Sequence, residues 1–402
     1  MKIGIDIRAL QTGHKFRGIG EVAKQVTNRV LKFAEHDNYE IIFYEYDDDD
    51  PKKLLDLPKN LKFSVEKVGK NPEITKNKTR KSKIINAYKN TFGKPIKNSG
   101  KSDVFLQFDY AFGVPKNTKT ILIKHDLIPL VFWNDFFQSP RFSLRYHAFR
   151  SMIKTMLINY RFRRILRRGV KNAHKIISVS DSTKNDLMKY LKVPAKKIKT
   201  VHLGVSTKEA KSDETNDKKT LPTKPYLLFI GAGDQRRRVD DLVAAYNNLK
   251  AEGNDIQLVL AGENFKSPKE IPNETVRREI LNSSYADDIL TLGYIDDKTK
   301  QKLFQGAIAF VYPTLYEGFG IPVLESFLWN CPVVTYKNSS IPEVGGKYAI
   351  YVNDWQGIKN SIEDLLNQSK KDREKSVFSA KKYAEKFTWE KTAKNIYDEL
   401  VD

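Results

Sequence analysis

The 402-residue chain has a single cysteine, Cys331. One cysteine excludes an internal disulfide framework and any zinc site built on cysteines. No run approaches the 18 apolar residues that a membrane-spanning helix needs. The opening MKIGIDIRAL turns polar too soon for a secretory leader, so a cytoplasmic protein is expected. None of the six histidines pairs with another at metal-ligand spacing. The acidic run 47–50 has no strand-end setting and reads as a solvated loop, so no metal is expected. Acidic residues are scarce in the first half. Residues 1–200 carry 42 Lys+Arg against 19 Asp+Glu, whereas residues 201–402 carry 28 against 30. A split of this kind suggests that one domain faces an anionic surface or partner.

What is present is enough for two cores. Hydrophobic residues make up 40% and aromatics 11%, which excludes a disordered chain. Apolar strand-like runs lie at 2–7, 40–45, 104–108, 120–124 and 175–180, with helical patterns between them at 20–35 and 181–191. Strands that alternate with helices predict a parallel α/β sheet. The polar stretch 206–222 (STKEAKSDETNDKKTLP) reads as a linker. The pattern then restarts, with strands at 226–231, 256–261, 289–292, 308–312 and 333–336 and helices at 238–251, 297–305 and 322–329. The expected division is a strongly basic domain over 1–205, a second domain over 223–375, and a helical segment 376–402 that packs back on the first.

Two stretches of the first half are unusually basic. Residues 70–101 crowd lysine and arginine onto a weak apolar pattern, and 141–175 place eleven lysines and arginines around Phe149, Met152, Ile153, Met156, Leu157 and Tyr160. Those six share one face of a 3.6-residue helix. The plain reading is a helix packed on its own domain with a solvated basic face. The functional reading is a helix at an anionic membrane surface or an anionic acceptor.

The strongest chemical signal is 311–325, VYPTLYEGFGIPVLE. A strand runs into a loop holding Glu317, Gly318, Phe319 and Gly320, and a helix opens near Pro322 and carries Glu325. Glycines let backbone N–H groups approach a ligand, and a helix N-terminus favours an anion, so the string suits phosphate. The alternative, a plain strand–turn–helix crossover, fits a bare Gly-x-Gly better than this whole string. A second candidate is 229–242, FIGAGDQRRRVDDL. Cations disfavour a helix N-terminus, so Arg236, Arg237 and Arg238 ask for a reason; a diphosphate between them would supply one, and solvated surface arginines are the alternative. A third, RGIGEVA at 17–23, matches Gly-x-Gly-x-x-Ala but lies some ten residues past its strand, which argues against a dinucleotide site and leaves Gly18 and Gly20 as a glycine loop facing an interdomain cleft. His125, in ILIKHDLIPL, stands at the C-terminal end of a predicted strand, where ligands of open α/β sheets bind; elsewhere a lone histidine is more often structural.

Taken together these segments resemble glycosyltransferase family 4, retaining sugar transferases of the GT-B fold. The resemblance is strong from 226 to 352. It rests on Glu, seven residues, Glu (EGFGIPVLE), with GYIDD, FVYPTLYEGFG, CPVV and SSIPEVGG in order, and on RGIGEV, KHDLIPL and IISVSDSTKNDL in the first half. It implies two Rossmann-like parallel-sheet domains facing a cleft. It implies that Glu317 contacts the donor sugar and Glu325 the nucleotide ribose, and that amides of Gly318, Phe319, Gly320, Val323 and Leu324 hold sugar and phosphates. Arg237, helped by Arg236, would clamp the diphosphate, His125 would line the sugar pocket, Gly18 and Gly20 would cover the phosphates, and Tyr294 and Ile295 would meet the base. Two places depart from the pattern: Ala232 stands where an arginine is common, and Arg237 where a lysine is usual.

The implied activity is transfer of a hexose or deoxyhexose from a nucleotide-diphosphate sugar to a glycan or lipid-linked glycan, in exopolysaccharide or cell-wall synthesis. The expected setting is the inner membrane face, with no metal or other cofactor. Two other classes stay open: a sugar-binding pseudoenzyme partner of another transferase, and a basic nucleic-acid-binding protein. The second finds no nucleic-acid fold motif, so no nucleic-acid partner is expected.

Overall fold

The computed structural model describes residues 1–16, 18–47, 50–69, 71, 99–108, 114, 115, 117–132, 160, 163, 164, 166–207 and 221–402. Most of the basic stretches 70–101 and 141–175, and the expected linker from 208 to 220, lie outside them. The chain divides into two units, residues 1–204 with 388–402, and residues 205–387.

The first unit is built on a seven-stranded sheet with order β3-β2-β1-β4-β5-β6-β7. Its strands are β1 (Lys2–Asp6), β2 (Glu40–Glu45), β3 (Phe63–Lys67), β4 (Val104–Gln107), β5 (Lys119–Lys124), β6 (Lys175–Ser178) and β7 (Ile198–Thr200). Every pairing is parallel. Such strands are covered on both faces, which is why they read as apolar runs. Helix α1 (Gly18–His36) turns Val22, Val26 and Val30 inward, one turn apart, and α2 (Asp181–Leu191) is capped by the Ser180 hydroxyl, which accepts from the Thr183 N–H.

The second unit carries a six-stranded sheet, again all parallel, with order β10-β9-β8-β11-β12-β13. The strands are β8 (Tyr226–Ile230), β9 (Gln257–Ala261), β10 (Ile289–Gly293), β11 (Ala309–Tyr312), β12 (Val333–Tyr336) and β13 (Ile350–Val352). Its longer helices are α3 (Val239–Ala251), α4 (Glu274–Leu281), α5 (Asp297–Gly306), α6 (Ile321–Leu328), α7 (Trp355–Asn367) and α8 (Lys370–Ala384). Both sheets follow the doubly wound order, in which connections run one way from the first strand and then the other. The crevice where the order reverses, outside the strands' C-terminal ends, is where such folds bind ligands. In the second unit that point lies between β8 and β11.

The C-terminal stretch is two helices, and the unit boundary falls between them rather than at the expected 376. Helix α8 stays with the second unit, while α9 (Trp389–Val401) belongs to the first. Helix α9 buries Trp389, Ile396 and Leu400 and packs on α1, where the tilted rings of Phe33 and Tyr397 lie 5.3 Å apart and Arg29 pairs with Glu390 at 3.0 Å. Gly204 permits this return, because a Cβ there would stand 2.1 Å from the Trp389 backbone nitrogen. Among the described residues no helix is long and apolar enough to cross a membrane.

Candidate active site

The loops that leave β8 and β11 meet at the reversal point of the second sheet. Glu317 is buried there, and its Oε1 accepts four hydrogen bonds: from Arg236 Nη1 at 2.6 Å, Arg237 Nε at 3.0 Å, the Tyr312 hydroxyl at 2.6 Å and the Thr314 hydroxyl at 3.2 Å. The loop itself is pinned from β12's far end. Ser339 Oγ accepts from the Glu317 N–H at 2.8 Å, and the buried Ser340 hydroxyl lies within reach of the Glu317 carbonyl at 2.9 Å and the Phe319 carbonyl at 2.8 Å, with one hydrogen to donate between them. The Leu315 N–H reaches the Arg236 carbonyl at 2.7 Å, which ties the two loops together.

Burial alone would push the Glu317 carboxyl up. The charges of Arg237 and Arg236 and the Tyr312 hydroxyl overturn that and hold it well below the usual carboxylate range, at about 2. Burial would likewise weaken the Arg237 charge, but Glu317, Tyr312 and Asp234 outweigh it and hold the guanidinium above its ordinary value. Burial, reinforced by Glu317, raises the Tyr312 phenol. The site is therefore a fixed anion under two fixed cations, with the Arg237 guanidinium 5.9 Å from the Tyr312 ring centre.

The three arginines have partners already, so their place before α3 does not by itself require a bound anion. Asp234 pairs with Arg236 at 3.0 Å and with Arg237 at 3.3 Å, and Arg238 pairs with Asp240 and Asp241 in the first turn of α3. Arg237 also donates to the Ala232 carbonyl at 3.3 Å, so its side chain folds back over the place where the family pattern favours another arginine.

Gly320 takes φ +110°, and a Cβ there would press within 3.1 Å of Ile341 and Val344. The glycine thus sets the turn that delivers Gly318, Phe319 and Gly320 to the start of α6. Phe319 is buried beside Phe387, and the Val323 and Leu324 side chains are fully buried, which leaves these residues only backbone to offer a ligand. Glu325, further along α6, is held by Lys300 Nζ at 2.7 Å, and Lys300 also meets Asp297 at 3.0 Å. Burial opposes the Lys300 charge, but Glu325 and Asp297 outweigh it and raise its pKa. Tyr294 is exposed and Ile295 buried in the turn between β10 and α5.

Gly18, Gly20 and His125 belong to the first unit. Gly18 and Gly20 do not form a free loop: α1 begins at Gly18, and Gly20 is buried in its first turn. The gap after β1 is filled by two short 3₁₀ turns, Arg8–Leu10 and Gly13–Phe16. His125 directly follows β5, and its Nε2 lies 3.0 Å from the Phe108 carbonyl. A carbonyl only accepts, so Nε2 carries the hydrogen of that bond. Tyr312, Thr314, Asp234, Ser340 and Lys300 have no role in the reading of the sequence. All but Lys300 had a signal, their place inside the strings FVYPTLYEGFG, FIGAGDQRRRVDDL and SSIPEVGG.

A family model described as glycosyl transferases group 1 matches residues 211–383, and one described as Glycosyltransferase Family 4 matches residues 105–209. The chain belongs to the family 4 glycosyltransferases and has their GT-B fold of two Rossmann-like parallel-sheet units. It is 29% identical over 233 residues to O-antigen chain mannosyltransferase B of Escherichia coli, an alignment covering 56% of this chain and 60% of that one. It is 26% identical over 307 residues to the serotype-specific mannosyltransferase WbdA of Escherichia coli, covering 73% of this chain and 34% of that one. The chain thus spans less than two thirds of either relative. Among solved structures, Anabaena Alr3699/HepE in complex with UDP and glucose is similar in fold, with a TM-score of 0.65, 14% identity and coverage of 100% and 99% of the two chains.

Proposed function

We propose that this glycosyltransferase moves a hexose, mannose in the first instance, from a nucleotide-diphosphate sugar to a growing glycan or lipid-linked glycan, with retention at the anomeric carbon and without a metal. The observation that carries the donor reading is the Glu317–Arg236–Arg237 cluster at the reversal point between β8 and β11. Mannose and a polysaccharide setting draw support from the names of the curated relatives.

In transfer, the acceptor oxygen bonds to the anomeric carbon as the bond from that carbon to the phosphate oxygen breaks. The electron pair goes to the diphosphate, which also takes the acceptor proton in a same-face path. The chain's task is to stabilise the charge that develops on the leaving group. Arg237 is the cation for it, and the amides before α6 add partial positive charge. Arg236, nearly buried on Glu317 and the Tyr316 carbonyl, holds Glu317 in place. Glu317, kept anionic by these neighbours, would accept from sugar hydroxyls.

GDP-mannose, UDP-glucose and UDP-galactose, each offered with and without EDTA, test this directly. The expected result is thermal stabilisation and slow nucleoside diphosphate release with one donor, unchanged by EDTA, and an α-linked product from an α-linked donor. If no sugar nucleotide binds, the donor reading fails; loss of turnover in EDTA sinks the metal-free part.

The charge of the first half supports a location at an acidic membrane face, where Arg163, Arg164, Arg167, Arg168 and Lys171 are exposed among the described residues. Co-sedimentation with acidic vesicles should fall steeply as salt rises. Absence of binding at low salt refutes the membrane part alone.

A further inference from the structure

We infer that Lys300 is a positioning residue for the nucleoside end of the donor: it grips one oxygen of Glu325 and leaves the other to accept from a vicinal diol. This rests on the donor reading above and adds a residue that reading does not contain.

The ammonium of Lys300 is shared between two carboxylates, Glu325 on α6 at 2.7 Å and Asp297 on its own helix at 3.0 Å. A flexible side chain held at two points has one position, so Glu325 Oε1 has one as well. The Lys300 bond is the one hydrogen bond that the Glu325 carboxylate accepts among the described residues, and Oε2 takes none. The Glu325 side chain keeps 20% of its surface exposed, so the carboxylate is neither sealed in nor free to swing. An oxygen so placed has two lone pairs and no donor, which is what a diol supplies.

Charge argues the same way. A bare carboxylate would repel an arriving diphosphate; Lys300, although shared with the largely exposed Asp297, offsets part of that charge at hydrogen-bond range while Oε2 stays available. Chain order adds a link. Helix α5 starts one residue after the turn holding Tyr294 and Ile295 and carries Lys300 one turn in, so a single helix joins the turn expected to meet the base to the residue that orients Glu325. A merely structural bridge between α5 and α6 would affect stability but not the choice between ribose and a sugar lacking its hydroxyls.

The test uses the full chain and calorimetric Kd values for GDP, UDP and their 2′,3′-dideoxy counterparts. The wild type should prefer the ribose form, and Glu325→Gln should lose most of that preference. Hydrogen bonds to a charged group support an expected loss of about tenfold in the preference for Lys300→Met. Lys300→Arg should restore most of it, and Lys300→Met should add nothing in a Glu325→Gln background. Lys300→Gln gives a second removal of the charge should the Met variant fail to fold. A wild-type preference in both charge-removed variants overturns the inference and leaves the donor reading standing, as does a wild type that binds the ribose and dideoxy forms equally. A wild type that binds neither diphosphate overturns the donor reading and this inference together.

Discussion

Replacing Glu317 by glutamine removes one charge from a cluster that otherwise balances, and its effect on stability is calculable from the surroundings. A carboxyl moved from its ordinary 4.5 to about 2 ties about 3 kcal/mol of folding free energy to its ionised form. The sign follows from the direction. The folded-state value is depressed, so the contribution is complete above pH 4.5 and is lost as pH falls towards 2. Glutamine keeps the shape and still accepts hydrogen bonds, and Asp234 still partners both arginines, so the variant should fold. At neutral pH it should melt lower than the wild type by roughly 6–12 °C, given ~2–4 °C per kcal/mol for a unit of this size. On acidification the gap should close, because the wild type then loses the same charge. Thermal unfolding of both proteins at intervals from pH 7 to pH 2.5 measures it. A gap that stays constant across that range would refute the claim that Glu317 is an anion held by Arg236 and Arg237.

Gly320→Ala forces φ +110° on a residue with a side chain and presses it on Ile341 and Val344, so it should cost about 1–3 kcal/mol and lower turnover by displacing the loop amides; melting and donor hydrolysis check both. Gly204→Ala puts a Cβ against the Trp389 backbone, so α9 should undock from α1, read as faster proteolysis near residue 388. The thiol of Cys331 is buried and pushed up to about 12 by that burial, so maleimide at pH 8 should leave it unlabelled until the protein unfolds, as mass spectrometry can show.

The central strands were legible because parallel strands covered on both faces leave apolar runs such as YLLFI in β8 and QLVLA in β9. Three strands were not read: β3 (FSVEK), β7 (IKT) and β13 (IYV). All three lie at sheet edges, where half-exposed short strands carry little pattern. The segment 376–402 reads as one helical region; Thr388, which caps α9, is a start signal inside it, but the close approach of Gly204 to Trp389 that ties α9 to the first unit is visible only in space. At the site, the Glu317–Glu325 spacing and Arg237 were readable from the string. The arginines' acidic partners were not weighed, although Asp234, Asp240 and Asp241 adjoin them in sequence, because ion pairing depends on the turn that Arg238 makes at φ +42°. The grip of Ser340 and Lys300 on the two glutamates depends on separate elements converging, which sequence spacing does not encode.

The most direct measurement of the central claim, that Arg237 beside Glu317 receives the donor's paired phosphates, is the affinity ratio of nucleoside diphosphate to monophosphate in the wild type and in Arg237→Met. The account predicts a clear preference for the diphosphate that the substitution removes. An Arg237→Met protein that still prefers the diphosphate to the wild-type degree would contradict it.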